Sequence, residues 1–184
     1  MEVQTTGIPG LLIIKPDVFS DSRGFFFEGY QQQRYKDMGI DTEFVQDNYS
    51  SSQYGVIRGL HYQLAPYGQA KLVQVLQGEV LDVAVDLRKG SPTYGQYEAV
   101  VLSESNRLQF YIPQGFAHGF SVLSERVLFH YKCDNLYCKE AERGINFADP
   151  TLGIDWKVPV DKAIVSEKDM ILPQWDKCEM NFVF

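Results

Sequence analysis

The stretch Lys71-Leu72-Val73-Gln74-Val75-Leu76-Gln77-Gly78-Glu79-Val80-Leu81-Asp82-Val83-Ala84-Val85-Asp86-Leu87 decides the fold class. It holds two short apolar runs, Lys71 to Leu76 and Glu79 to Leu87, with Gln77-Gly78 between them. Runs of this length, rich in β-branched residues and broken by glycine, read as strands. The pair reads as a hairpin closed by a tight turn.

Outward from that pair the same pattern repeats in both directions. Leu11 to Val18, Phe25 to Tyr30, Glu43 to Asn48 and Val56 to Leu64 precede it. Gln96 to Leu102, Arg107 to Ile112, His118 to Leu123 and Val127 to Cys133 follow it. Turn residues such as Asp21-Ser22-Arg23-Gly24, Ser91-Pro92-Thr93 and Pro113-Gln114-Gly115 separate the runs. Gln31 to Met38 reads as a helix stopped by Gly39. Past Asn135 the pattern weakens, and Lys139 to Gly144 and Ser166 to Met170 read as short helices or turns outside the strands. This predicts one all-β domain over 1–184, a sandwich or barrel with its core at roughly 43–134. Strands and a helix in 1–42 and a peripheral segment at 135–184 flank that core.

Composition narrows the partners. The 184 residues are 45% hydrophobic and 22% charged, ordinary for one globular domain. The net charge of −7 and the lack of a Lys/Arg run argue against nucleic acid, which needs a basic face. An anionic small molecule remains compatible where a few basic groups converge. Met1 to Gly10 lacks the basic start and apolar run of a secretory leader, and no segment could span a membrane. With Cys133, Cys138 and Cys178 an odd set, the expectation is a cytoplasmic protein with reduced thiols.

Period-two alternation then sorts the strands by face. Lys71 shares a face with Val73 and Val75, His118 with Phe120 and Val122, and Tyr131 with Val127, Phe129 and Cys133. His130 falls on the opposite face and reads as a core histidine. Buried polar groups need partners, so Lys71, His118 and Tyr131 on interior faces form a site hypothesis.

Two further segments carry chemistry. Gly55 followed by His61 resembles the start of the first cupin motif, and Pro113-Gln114-Gly115-Phe116-Ala117-His118 resembles the second. The first motif is altered: Gln63 replaces its second histidine, and Lys71 stands in the place of its ligand glutamate. An ammonium has no lone pair for a divalent cation and repels one, so no metal site is expected. What remains suits proton transfer beside a ketone. That reaction needs a positioned base, a donor for the enolate oxygen, and an acid on the opposite face when a carbon is inverted. His61 can serve as the base, Lys71 as the positive charge and Tyr131 as the acid.

The segments Asp21-Ser22-Arg23-Gly24-Phe25-Phe26-Phe27-Glu28, Gln46-Asp47-Asn48-Tyr49-Ser50, Arg58-Gly59-Leu60-His61-Tyr62-Gln63 and Gly115-Phe116-Ala117-His118-Gly119-Phe120 resemble the dTDP-4-dehydrorhamnose 3,5-epimerase family. So do Tyr131-Lys132-Cys133, Asp149-Pro150 and Ser166-Glu167-Lys168-Asp169, in the same order. The resemblance implies a cupin-type jelly-roll homodimer without cofactor, acting on a dTDP-linked 4-keto-6-deoxyhexose. It implies that His61 is the base with Asp169 as its charged partner, that Lys71 with His118 stabilises the C4 enolate, and that Tyr131 is the acid. It further implies that Arg23, Glu28, Gln46, Asn48, Arg58, Glu142 and Lys168 bind substrate and that Tyr137 stacks on the thymine.

Taken singly, each residue has a plainer reading: His61 and Tyr131 as satisfied core residues, Lys71 as a strand-end lysine, Arg23 with Glu28 as a surface ion pair. A metal-dependent cupin, a non-catalytic sugar-binding cupin, and an epimerase or ketoisomerase that inverts fewer carbons are the competing functions. One detail stays open. Strict alternation sends Arg58 to the face opposite His61, unless Gly55 or Gly59 permits a bulge or Arg58 reaches a diphosphate over the strand end.

Overall fold

The structure is a computed structural model describing residues 1–184. Its thirteen strands are β1 Glu2–Thr5, β2 Leu12–Lys15, β3 Phe19–Asp21, β4 Gly24–Phe26, β5 Gln46–Gln53, β6 Ile57–Gln63, β7 Lys71–Gln77, β8 Glu79–Asp86, β9 Tyr97–Ser103, β10 Gln109–Ile112, β11 Phe116–Val122, β12 Arg126–Cys133 and β13 Glu142–Gly144. The helices are α1 Gln32–Asp37 and α2 Glu167–Met170, with short 3-10 turns elsewhere. A six-stranded sheet in the order β1-β2-β10-β7-β12-β5 faces a five-stranded sheet in the order β13-β6-β11-β8-β9. The architecture is the expected all-β cupin-type jelly roll. No helix is long and apolar enough to cross a membrane.

The decisive stretch forms two strands but not a hairpin. β7 pairs with β10 and β12, whereas β8 pairs with β11 and β9 in the other sheet. Gly78 (φ +84) carries the chain around the corner between them, and a Cβ there would lie 2.0 Å from the Arg126 carbonyl. Val73 and Val75 of β7 and Val80 and Ala84 of β8 belong to one core, filled from the inner faces of both sheets. The sheets also recruit β1, β2 and β13 from outside 43–134. The residues around Lys139 split into a 3-10 turn and β13, a strand that its three-residue length hid from pattern reading.

The barrel interior is the cluster of Val73, Val75, Phe110, Ile112, Phe120 and Phe129 with their neighbours. The outer face of each sheet is apolar too, and the chain covers both. Tyr35 and Ile40 lie with Ile14 and Leu72 over the six-stranded sheet. Ile145, Trp156 and Phe182 cover Leu81, Val83 and Val85 of the five-stranded sheet. The tail beyond Leu172 is therefore part of the fold, and Lys89 N–H donates to the Phe182 carbonyl at 3.0 Å.

One irregularity governs the site. β11 and β6 pair as His118 with His61 and Phe120 with Arg58, so two residues of β6, Gly59 and Leu60, oppose one of β11, Gly119. Gly59 (φ +108) is the extra residue, a bulge that turns Arg58 to the side of His61. The open question about Arg58 is thereby answered. A Cβ on Gly59 would lie 2.6 Å from the His118 carbonyl and 2.7 Å from Gly119 Cα. Gly59→Ala should therefore destabilise the protein by about 3 kcal/mol in urea unfolding. Gly7→Ala, where nothing lies within 4 Å, should stay within about 0.5 kcal/mol.

Candidate active site

A cavity of about 580 Å³ opens between the sheets. From the five-stranded sheet β6 supplies Arg58, His61 and Gln63, and β11 supplies His118. From the six-stranded sheet β7 supplies Lys71, β12 supplies Phe129 and Tyr131, and β5 supplies Ser50. Tyr137, Glu142, Lys168 and Asp169 close it from the C-terminal segment.

His61 and Asp169 form a dyad across two elements. Asp169 sits on α2, whose N-cap Ser166 accepts the Asp169 N–H through Oγ at 3.1 Å. Its Oδ1 lies 2.7 Å from His61 Nε2, and its Oδ2 accepts the Gly59 N–H at 3.3 Å. Burial opposes ionisation of Asp169, but the His61, Gly59 and Ser166 hydrogen bonds outweigh it and hold the carboxyl below its ordinary range. An ionised carboxylate accepts a hydrogen bond from the Nε2–H, which leaves the lone pair of His61 Nδ1 free to act as base.

The second histidine is held in the same way by a residue that pattern reading missed. His118 Nε2 lies 3.0 and 2.9 Å from the two oxygens of Asp82, which is fully buried. Burial raises the Asp82 carboxyl, and the His118 contacts and the Lys71 charge pull it back only in part. The signal was in the sequence, since alternation sets Asp82 between Val80 and Ala84 on an interior face.

Lys71 is buried, and Cys133, Asp82 and Asp134 act on it through space without a hydrogen bond. Burial therefore depresses its pKa despite those neighbours. Tyr131 likewise has no hydrogen-bonded side chain around it; burial raises its phenol, with a smaller push from Cys133, so the hydroxyl keeps its proton at neutral pH. At the mouth, Glu142 accepts from Lys168 at 2.7 Å and from the Tyr137 hydroxyl at 2.8 Å. Burial opposes the Glu142 charge, yet these two bonds keep its carboxyl below the usual range.

Gln46 and Asn48 stand on the cavity-side face of β5, opposite Cys133 and Tyr131, but do not line the cavity. Gln46 Nε2 donates to Asn48 Oδ1 at 2.9 Å. Arg23 and Glu28 are not brought to the cavity by the fold of one chain. Arg23 caps the exposed β3–β4 hairpin with its side chain 87% exposed and ion-paired to Asp21 at 2.6 Å, and Glu28 pairs with Arg34 at 3.1 Å. His130 faces away, as alternation required, and bonds Gln74 at 3.0 Å and Asp47 at 3.1 Å. No three His, Cys, Asp or Glu side chains gather as a ligand set for a metal ion.

Known proteins share both sequence and shape with this chain. The family model described as dTDP-4-dehydrorhamnose 3,5-epimerase matches residues 5–177. A dTDP-4-dehydrorhamnose 3,5-epimerase of Shigella flexneri is 52% identical over 171 residues, covering 92% of this chain and 93% of the relative. The crystal structure of the enzyme of that name from Elizabethkingia anophelis NUHP1 superposes with a TM-score of 0.93 at 50% identity, covering 97% of this chain and 99% of that one. A dTDP-6-deoxy-D-glucose-3,5-epimerase from Legionella pneumophila Philadelphia 1, solved in complex with dTDP-4-keto-L-rhamnose, gives a TM-score of 0.92 at 50% identity, covering 96% and 93%. The match runs through every strand that supplies the cavity, and with it the chain belongs to the dTDP-4-dehydrorhamnose 3,5-epimerase family.

Proposed function

We propose that the chain is a dTDP-4-dehydrorhamnose 3,5-epimerase in which a dTDP-linked 4-keto-6-deoxyhexose lies between the two sheets and is inverted at C3 and C5 without metal or cofactor. One observation carries this reading. The base candidate His61 stands on the five-stranded sheet and the acid candidate Tyr131 on the six-stranded sheet, so a ring between them meets one on each face. Inversion requires that arrangement, because the proton must leave one face of the carbon and return to the other.

In each half-reaction His61 Nδ1 takes the proton from the carbon beside the ketone, and the C–H electron pair moves into an enolate with its charge on O4. The Lys71 ammonium and His118, held by Asp82, stabilise that oxygen as charge develops. Tyr131 then gives its hydroxyl proton to the opposite face. Solvent takes the proton from His61 and returns one to the Tyr131 phenolate, which resets the site for the second carbon. Asp169 fixes the His61 tautomer and stabilises the imidazolium.

Arg58, Lys168, Glu142 and Tyr137 ring the mouth and suit the diphosphate and nucleoside, with Gln46 and Asn48 extending that polar wall. Arg23 and Glu28 reach this ligand only from elsewhere. The β3–β4 hairpin exposes Phe19, Phe25 and Phe26 by 64%, 57% and 68%, an apolar surface that a second copy would cover. A homodimer in which the hairpin of one copy meets the mouth of the other supplies both residues. Three free cysteines suit the cytoplasm.

Incubation with dTDP-4-keto-6-deoxyglucose in D₂O, read by NMR, tests the reaction: deuterium should enter at C3 and C5. Absence of exchange with folded protein would refute the epimerase reading. His61→Ala should abolish exchange, and Asp169→Asn should slow it roughly 10²- to 10⁴-fold. Tyr131→Phe should retain exchange yet impair inversion. If Tyr131→Phe inverted both carbons at full rate, the acid would have to be another group.

Lys71 separates activity from stability. Because its folded pKa is depressed, the unfolded chain binds more protons between the folded pKa and the unfolded value of about 10.4. Stability from this group therefore rises with pH across that window and is lost as pH falls through the folded pKa. Lys71→Met should raise the neutral-pH melting temperature, flatten that rise, and lower turnover by roughly 10²-fold or more.

A further inference from the structure

Ser50 stands on β5 directly opposite Phe129 of β12 and lines the cavity. Its Oγ is buried and has no hydrogen-bond partner. The other polar groups on that face of β5 are engaged. Gln46 bonds Asn48, Asn48 Nδ2 reaches Cys133 Sγ at 3.8 Å, and Ser52 Oγ accepts from Arg58 Nε at 3.1 Å. A buried hydroxyl left unpaired costs stability, and such groups are few in folded chains.

The neighbours of Ser50 distinguish the parts of the ligand. The ring of its cross-strand partner Phe129 stacks on Phe120 at 4.3 Å, and its centroid lies 6.2 Å from His118 and 6.1 Å from Tyr131. Ser50 therefore shares a cavity wall with Phe129 and Tyr131 of the six-stranded sheet, whereas the exposed Tyr137 and Lys168 come from the C-terminal segment.

We propose that Ser50 is a specificity-determining residue whose hydroxyl hydrogen-bonds the C2 hydroxyl of the sugar. The assignment rests on the epimerase reading above. A 4-keto-6-deoxyhexose joined through C1 to a diphosphate has free hydroxyls only at C2 and C3. The ketone oxygen belongs to Lys71 and His118, and the C3 hydroxyl changes side during turnover. The C2 hydroxyl keeps its configuration in substrate, intermediate and product, so a hydroxyl on a fixed strand can hold it throughout. Serine suits that task because it donates and accepts. Holding C2 also limits rotation of the ring in its plane while proton abstraction moves between C3 and C5.

Ser50→Ala, assayed with dTDP-4-keto-6-deoxyglucose and with its 2-deoxy and 3-deoxy analogues, tests this. KM for the parent substrate should rise roughly 3- to 10-fold, the usual size for one neutral hydrogen bond, with the loss in KM rather than kcat. Wild-type protein should show the same loss with the 2-deoxy analogue, and Ser50→Ala should add nothing further to it. Ser50→Thr should retain discrimination between parent and 2-deoxy sugars. The affinity for dTDP alone should not change, and the melting temperature of Ser50→Ala should be equal or higher. Coupling to the 3-deoxy analogue instead, weaker dTDP binding, an unaltered KM or a lowered melting temperature would each overturn the assignment. Deuterium exchange by the wild-type protein keeps the epimerase reading separate from any of these failures.

Discussion

The site depends on one extra residue in β6. Gly59 bulges out of register with β11, and two consequences follow from the same displacement. Arg58 and His61, three apart in sequence, come to line one cavity. The Gly59 N–H also bonds Asp169 rather than a neighbouring strand. A carboxylate that accepts from a backbone amide and contacts a histidine, on a residue whose own N–H is held by the helix cap, has little freedom to move, so the histidine it orients is fixed by the sheet itself. Gly119 opposite has no side chain where Gly59 approaches, which lets the two strands close around the irregularity.

Charge is handled differently on the two sides of the cavity. The His61–Asp169 dyad lies toward solvent, and its carboxylate is held ionised by three hydrogen bonds. On the other side Lys71, Asp82 and His118 are all buried, and burial disfavours the charge on Lys71 and on Asp82. In so dry a site a positive charge or a hydrogen-bond donor acts on a developing oxyanion far more strongly than in water. The unpaired Ser50 hydroxyl follows the same logic on a smaller scale. Of the buried polar side-chain atoms left without a partner, only the Ser50 hydroxyl lines the cavity.

The segments outside the barrel are functional because of where they cover it. Both sheets are apolar on their outer faces, so neither could remain in water uncovered. The C-terminal segment that covers the five-stranded sheet also carries Glu142, Lys168 and Asp169 to the cavity. Packing of Trp156 and Phe182 on the sheet thus helps place a carboxylate beside His61. The N-terminal hairpin makes no such approach to its own cavity, which leaves Arg23 and Glu28 in ion pairs outside it.

By itself the sequence determined the all-β class, most strand positions and the faces of Lys71, His118, Tyr131 and His130. These follow from period-two alternation, which is a local property of the chain. It also carries Gln63 and Lys71 at the positions of the cupin ligands, which is what turned the expectation from metal chemistry to proton transfer. Only the tertiary structure decided that β7 and β8 belong to opposite sheets, since a glycine between two strands closes a hairpin or turns a corner with the same local signature. Only it showed that Asp82 holds His118, that Arg58 shares the side of His61, and that Ser50 is left without a partner. Each of these depends on contacts between residues far apart in the chain, and alternation within one strand carries no information about the register or bulges of its neighbours.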